Sequence, residues 1–204
     1  MKTLTLRREA LRRRASGHTW IFSNELEAVD TTIPPGTICA VLYPDGRPAG
    51  AGFFNPKSLI SVRLLVRGTA ELPGDFLKQR LAAALDYRRT LGVEEHCRLC
   101  FGESDDLPGL VVDRYGDTLV VEILSAGMEL LKDDITAALR DLVNPRAILY
   151  RNTHQFRELE GLKSYEETAY GTLRAFVRLD AGSRTGYARS GTQARIGQAY
   201  DATG

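Results

Sequence analysis

The sequence is poor in cysteine. It has three in 204 residues, namely Cys39, Cys97 and Cys100. An odd and low number of cysteines argues against a disulfide-stabilised secreted scaffold. The sequence also lacks any apolar run near the ~20 residues that a membrane-spanning helix needs. Its N-terminus has no apolar core of the kind found in secretory signals, so the expected location is the cytoplasm.

Several catalytic and metal-binding patterns are missing as well. There is no Gly-x-Ser-x-Gly and no Gly-x-Gly-x-x-Gly after a predicted strand. The pair Cys97-x-x-Cys100, next to His96, invites a metal or redox interpretation. However, a zinc site needs four ligands and no second pair follows, and a redox pair belongs at the start of a helix rather than in a strand-like stretch. We therefore expect small hydrophobic side chains here and no metal site.

The net charge of +1 conceals an uneven distribution. Residues 1–70 hold ten Lys/Arg and five Asp/Glu, whereas the remainder holds seventeen basic and twenty-one acidic residues. A basic lobe on a nearly neutral protein is a candidate anion-binding lobe, with nucleic acid as the leading ligand. The alternative is a solvated charged face without a ligand.

Much of this positive charge lies in one short segment, which is predicted to be helical. Leu6, Ala10 and Leu11 are expected to face inward. Guanidinium groups can bind phosphate in bidentate fashion. The five arginines of this segment are expected to point outward: Arg7, Arg8, Arg12, Arg13 and Arg14.

Short strands separated by turns predict a small β-barrel over residues 1–70. Its Gly-rich strand, Ala49 to Asn55, is expected to pass close to another backbone. Residues 71–178 are predicted to form a second domain of α+β class, with helices at Asp75–Leu91 and Glu129–Leu142 between strands. Residues 179–204 are expected to be a linker and exposed tail, because residues 188–204 lack an apolar period.

An acidic loop precedes a predicted hairpin of Leu110–Val112 and Thr118–Leu124. Its carboxylates could bind a cation or act as a general acid or base. Clustered loop acids are more often cap and turn formers, which is the role that we expect. The acids are Glu103, Asp105 and Asp106 in this loop, and Asp113 and Asp117 in the turn of the hairpin.

Two blocks of sequence together resemble one known family. The first block is the basic opening followed by Gly-His-Thr-Trp-Ile-Phe-Ser at 17–23, Gly-Ala-Gly-Phe-Phe-Asn-Pro-Lys-Ser at 50–58 and Ile-Ser-Val-Arg at 60–63. The second is Gly-Glu-Ser-Asp-Asp-Leu-Pro-Gly-Leu-Val-Val-Asp-Arg-Tyr-Gly at 102–116, followed by Ser-Ala-Gly at 125–127. In this order and spacing they resemble the ribosomal RNA large-subunit methyltransferase I family, over roughly residues 1–187.

The resemblance implies a class I S-adenosylmethionine-dependent enzyme that methylates C5 of a cytosine in 23S rRNA. Residues 1–70 would be its RNA-binding PUA domain and residues 71–178 its central α/β domain. Gly182–Tyr187 resembles the segment that leads into the family's Rossmann-like methyltransferase domain, but the family's Leu-Asp-Gln-Arg motif does not follow. The family's cofactor motifs and catalytic cysteine have no match either, so we expect no catalytic residue, no cofactor site and no activity of this chain alone.

The expected function is RNA recognition on behalf of such a methyltransferase, with 23S rRNA as the partner, a second copy of the chain as a further candidate partner, and no membrane. Phosphate contacts are predicted for the five arginines between Arg7 and Arg14. Nearer contacts are predicted for His18, Asn24, Lys57 and Arg63, with a capped or surface histidine as the alternative for His18. Two other functions stay open: one half of a two-chain methyltransferase, and a non-catalytic protein-interaction module.

Overall fold

A computed structural model describes residues 1–173 and the strand backbone of Phe176–Ala181 and Arg184–Arg189. The predicted Gly182–Tyr187 segment lies partly outside the described residues, and most of the predicted tail, residues 190–204, lies wholly outside them. The N-terminal region contains one short helix and five strands: β1 (Lys2–Thr5), α1 (Leu11–Ala15), β2 (Trp20–Ile21), β3 (Thr37–Leu42), β4 (Pro48–Phe54) and β5 (Val62–Arg67). Short 3-10 turns at Arg8–Ala10 and Ser23–Glu25 flank α1 and β2.

The described part of the remaining chain contains four helices and seven strands. They are α2 (Phe76–Thr90), β6 (His96–Phe101), β7 (Leu110–Tyr115), β8 (Thr118–Ile123), α3 (Ala126–Leu130), α4 (Lys132–Val143), β9 (Ala147–Asn152), α5 (Phe156–Leu159), β10 (Tyr165–Gly171), β11 (Phe176–Ala181) and β12 (Arg184–Arg189). The second predicted helix is therefore two helices, because the chain bends at Leu131. The described residues include no helix with the length and apolar character to cross a membrane.

The N-terminal strands form a mixed five-stranded sheet in the order β1-β3-β4-β5-β2. β1 runs parallel to β3 and the other neighbours are antiparallel. An isolated bridge outside the strands joins Leu6, which follows β1, to Leu26, which lies beyond β2 and the 3-10 turn after it. Pairing within residues 1–173 thus shows a mixed five-stranded sheet with one bridging contact, and it does not by itself show the closed barrel that the sequence predicted.

The Gly-rich strand β4 passes close to another backbone, as predicted. A Cβ added at Gly50 would lie 2.3 Å from the carbonyl oxygen of Val66, and one at Gly52 would lie 2.2 Å from that of Arg63. The register between β4 and β5 shifts between Ala51 and Gly52, which marks a bulge. Glycine is therefore required here because any side chain would collide with β5.

The second sheet has the order β10-β9-β8-β7-β6 and is also mixed, since β8 and β9 are parallel. A parallel pair needs a crossover connection, and α3 and α4 provide it. Helices α2 and α4 cover one face of the sheet through buried apolar side chains such as Leu81, Leu85, Ile135 and Leu139. Tyr87, which the helical spacing could place in that stripe, is 58% exposed.

The two sheets share part of one hydrophobic core. Phe53 of β4 and Leu65 of β5 are buried in the same apolar cluster as the second sheet and its helices. The other face of the first sheet has its own cluster, which includes Leu6, Ile21 and Phe54. The chain is therefore an α+β protein of two mixed five-stranded sheets in direct contact, while the predicted domain boundaries at 70 and 178 stay a prediction.

Candidate nucleic-acid interface

The basic segment after β1 forms a 3-10 turn and the short helix α1, as the sequence predicted. Ala10 is 1% exposed and anchors it to the N-terminal core, whereas Leu11, predicted to face inward, is 42% exposed. Arg8 and Arg12 are exposed and form no ion pair or side-chain hydrogen bond among the described residues. Arg7 is exposed too, but its Nε donates to the carbonyl oxygen of Leu26 at 2.7 Å.

Arg14 contradicts the prediction that all five arginines point outward. It is 9% exposed, and its Nη1 donates to the carbonyl oxygen of His18 at 2.7 Å, while its Nη2 donates to that of Trp20. Burial lowers the pKa of the Arg14 guanidinium, and Glu25 opposes this shift. Arg14 therefore fastens the 17–20 turn to α1. Helical spacing did not reveal this, because α1 ends one residue later and the chain folds back over it.

Arg13 and His18 lie side by side at the same turn. The Nη2 of Arg13 is 3.3 Å from the Nε2 of His18, and the backbone N–H of Trp20 donates to the Nδ1 of His18 at 3.1 Å. The Arg13 guanidinium also lies over the Phe22 ring, 4.6 Å from its centroid. The Nδ1 of His18 therefore pairs with a backbone donor, while a cation lies beside its Nε2.

Arg63 is not a free surface cation, although the sequence suggested a contact role for it. Its side chain is 13% exposed, and it forms ion pairs with Glu103 at 3.1 Å and with Glu160 at 3.2 Å. The indole N–H of Trp20 donates to the same Glu103 oxygen at 2.7 Å. Residues from both matched blocks therefore meet at the contact between the two sheets, where they hold the sheets together.

Glu160 is the centre of this contact, and nothing in the sequence marked it. It is 4% exposed. Its carboxylate accepts hydrogen bonds from Asn55 Nδ2 at 2.9 Å, from Ser58 Oγ at 2.8 Å and from the backbone N–H of Ala126 at 3.3 Å. We call the set Trp20, Asn55, Ser58, Arg63, Glu103 and Glu160 the polar junction.

The remaining predicted contact residues, Asn24 and Lys57, are exposed. Asn24 lies in the 3-10 turn after β2, next to Ser23, whose N–H donates to the carbonyl oxygen of Leu59. Lys57 lies between two residues of the polar junction, and its Cδ is 3.8 Å from the position of a Cβ added at Gly161. Both side chains are therefore accessible to a ligand.

The acidic loop has the structural role that was expected. Asp105 binds the Arg88 guanidinium and accepts from the N–H of Phe101 at 2.7 Å, and Asp113 pairs with Arg98 at 2.8 Å. The predicted hairpin follows as β7 and β8. Among residues 1–173 no three His, Cys, Asp or Glu side chains are grouped to hold a metal ion.

The cysteines are buried, as expected for small hydrophobic side chains. Cys97 and Cys100 belong to the core of the second sheet, and Cys39 to that of the first. Burial raises the pKa of the Cys100 thiol to about 12 and that of Cys39 to about 11, and it also raises the pKa of Cys97. Thiolate is the reactive form of cysteine, so these thiols are unreactive near neutral pH.

Comparison with known proteins identifies relatives of the N-terminal region and of most of the chain. Residues 4–67 match the family model of a PUA-like domain. The chain is 38% identical over 159 residues to the ribosomal RNA large subunit methyltransferase I of Aeromonas hydrophila subsp. hydrophila, a match that covers 76% of this chain and 40% of that protein. The corresponding protein of Shewanella denitrificans is 34% identical over 174 residues, covering 83% and 43%.

Among solved structures, the fold is similar to a protein from Streptococcus mutans described as a SAM-dependent methyltransferase. The TM-score is 0.73 at 14% sequence identity, and the match covers 92% of this chain and 48% of that one. The chain spans about 40% of the length of the curated relatives that it matches. The chain is thus a partial-length homologue of the ribosomal RNA large subunit methyltransferase I family, with its PUA-like domain at residues 4–67.

Proposed function

We propose that this chain is the RNA-recognition portion of an S-adenosylmethionine-dependent 23S rRNA cytosine-C5 methyltransferase. One observation carries the proposal: exposed arginines without carboxylate partners cluster on the PUA-like domain. Arg8 and Arg12 are the clearest of them. Unpaired guanidinium groups at a surface are suited to phosphate oxygens, because each contact releases counterions from the nucleic acid.

Within this proposal the predicted contact residues divide into two groups. Arg7, Arg8, Arg12, Arg13, His18, Asn24 and Lys57 are at least partly exposed and would face the RNA. Arg14 and Arg63 would act indirectly, since Arg14 fixes the 17–20 turn and Arg63 belongs to the polar junction. The Leu6–Leu26 bridge would close the first sheet into the barrel of a PUA domain.

In this function no residue among 1–173 has a catalytic role or holds a cofactor. Methyl transfer needs the donor held beside the base, and a C5 methyltransferase also needs a thiolate nucleophile. The three buried cysteines are unsuited to that role because burial raises the pKa of each thiol. With rRNA as its partner, the chain would act in the cytoplasm.

We expect the double variant Arg8→Gln/Arg12→Gln to bind an rRNA hairpin at least about tenfold more weakly than the unmodified chain at ~50 mM salt. The reason is that each substitution removes a phosphate contact without touching the core. Fluorescence anisotropy with a labelled hairpin measures the change.

Arg89→Gln is the matched control, because Arg89 lies on α2 with a half-exposed side chain and pairs with Asp86. It is expected to leave the affinity unchanged. Equal affinities for the double variant and this control would show that the basic segment does not bind RNA.

A further inference from the structure

The 17–20 turn collects more positive charge than its surroundings balance. Arg13 Nε is 3.8 Å from one oxygen of Glu25, and Arg14 Nη2 is 4.0 Å from the other. One carboxylate thus faces two guanidinium groups, neither at close ion-pair distance. This leaves an excess of positive charge at the turn.

A third arginine, Arg67, adds to that excess. It ends β5 and is exposed. Its Nη1 would be 3.0 Å from a Cβ added at Gly17, so the guanidinium lies directly against the turn. Gly17 has a φ of +79°, a conformation that favours glycine. Arg67 has no ion-pair partner in the part of the chain that the structure describes, and sequence analysis did not single it out.

His18 is surrounded by more hydrogen-bond donors than it has acceptors to pair with them. Both of its ring nitrogens face donors: the N–H of Trp20 at 3.1 Å and the Nη2 of Arg13 at 3.3 Å. A neutral imidazole has one acceptor nitrogen, and arginine has none to offer. The backbone N–H of Trp20 has the shorter contact, so we assign Nδ1 as the acceptor. The hydrogen on Nε2 then points at another donor.

Two donors that face each other are both satisfied when an anionic oxygen lies beside them. Arg13 and His18 supply such donors at the 17–20 turn, and the guanidinium of Arg67 lies against Gly17 of the same turn. Arg13 can turn toward it, because its side chain is 43% exposed and its contact with Glu25 is long. Arg14, buried beneath, adds positive charge and holds the turn in place.

We propose that Arg13, His18 and Arg67 form a binding site for one RNA backbone phosphate at the 17–20 turn. This proposal rests on the proposed RNA-binding function and names the group that the turn would bind. A phosphate offers several strong acceptor oxygens, and two guanidinium groups with an imidazole N–H supply matching donors. The site would fix the register of the RNA on the PUA-like domain without reading its sequence.

The test compares Arg13→Gln, Arg67→Gln and the double variant with the unmodified chain and Arg89→Gln. Each is titrated with the same rRNA hairpin over a series of salt concentrations. We expect each single variant to weaken binding about tenfold, and the double variant to weaken it by clearly less than the product of the two effects, because both arginines bind one phosphate. The slope of log K against log salt should become shallower by about 1 in the double variant.

Three results would overturn the site. If either single variant binds like Arg89→Gln, that arginine is not a ligand, although salt-sensitive binding by the unmodified chain still supports the proposed function. If the two effects multiply fully, the arginines act on separate phosphates. If the unmodified chain shows no salt-sensitive RNA binding, the site and the proposed function fail together. Thermal unfolding of each variant verifies that it is folded.

Discussion

Replacing Glu160 with alanine is expected to destabilise the folded chain by about 3–5 kcal/mol. The carboxylate is almost completely buried and accepts hydrogen bonds from Asn55, Ser58, Arg63 and the backbone of Ala126. Its removal leaves the donors of Asn55, Ser58 and Ala126 without this acceptor in a largely buried site. Arg63 keeps Glu103 as a partner, so most of the loss comes from the buried donors of Asn55, Ser58 and the Ala126 backbone.

Urea unfolding at equilibrium measures this loss. Glu158→Ala is the matched control, since Glu158 is an exposed carboxylate in α5 only two residues away. It should change the free energy of unfolding by no more than about 0.5 kcal/mol. If both variants unfold at the same urea concentration as the unmodified chain, the polar junction does not hold the two sheets together. A separate early transition in Glu160→Ala would show that the junction couples them.

The substitution Gly127→Ala should destabilise the chain by about 1–3 kcal/mol, although alanine is normally the better helix former by about 1 kcal/mol. Gly127 lies in α3, and an added Cβ would be 2.0 Å from the Phe53 ring. The ring is packed in the shared core and cannot move aside freely. The sign of the effect is therefore diagnostic, because helix propensity and core packing predict opposite results.

Gly74→Ala serves as the control, because nothing lies within 4 Å of an added Cβ at Gly74. That variant should be neutral or slightly stabilising. Both are measured by urea unfolding. A stabilised Gly127→Ala chain would mean that α3 does not lie against β4. Adding Phe53→Leu to Gly127→Ala should recover part of the loss, since the smaller side chain vacates the space of the ring.

The local elements could be predicted from the sequence because their signals are local. Helix α2 follows a regular apolar spacing, β7 and β8 flank a Gly-Asp turn, and the glycines of β4 indicated a close backbone. The basic segment could also be predicted, since the sequence alone places five arginines within eight positions. These features supported an α+β fold with an anion-binding lobe.

The long-range side-chain contacts could not be predicted in the same way. Glu160 lies 105 positions from Asn55, and a single glutamate before a glycine in a loop carries no signal of burial. Arg14 and Arg63 look like ordinary surface arginines in the sequence, but the fold places Arg14 against carbonyl oxygens and Arg63 against carboxylates. Arg67 lies 53 positions after Arg14, so the sequence does not connect it with the basic segment. Only the fold does, because β5 ends with Arg67 beside Gly17.

The most direct test of the RNA-recognition role is a calorimetric titration of the 204-residue chain with a 23S rRNA hairpin between ~50 and ~200 mM salt. A titration with S-adenosylmethionine is run beside it. Contacts to about three phosphates, through Arg8, Arg12 and the Arg13–Arg67 pair, predict a slope of log K against log salt between about −2 and −3. No heat is expected with S-adenosylmethionine. Absence of RNA binding at ~50 mM salt, or binding that salt does not weaken, would contradict an RNA-recognition role for this chain.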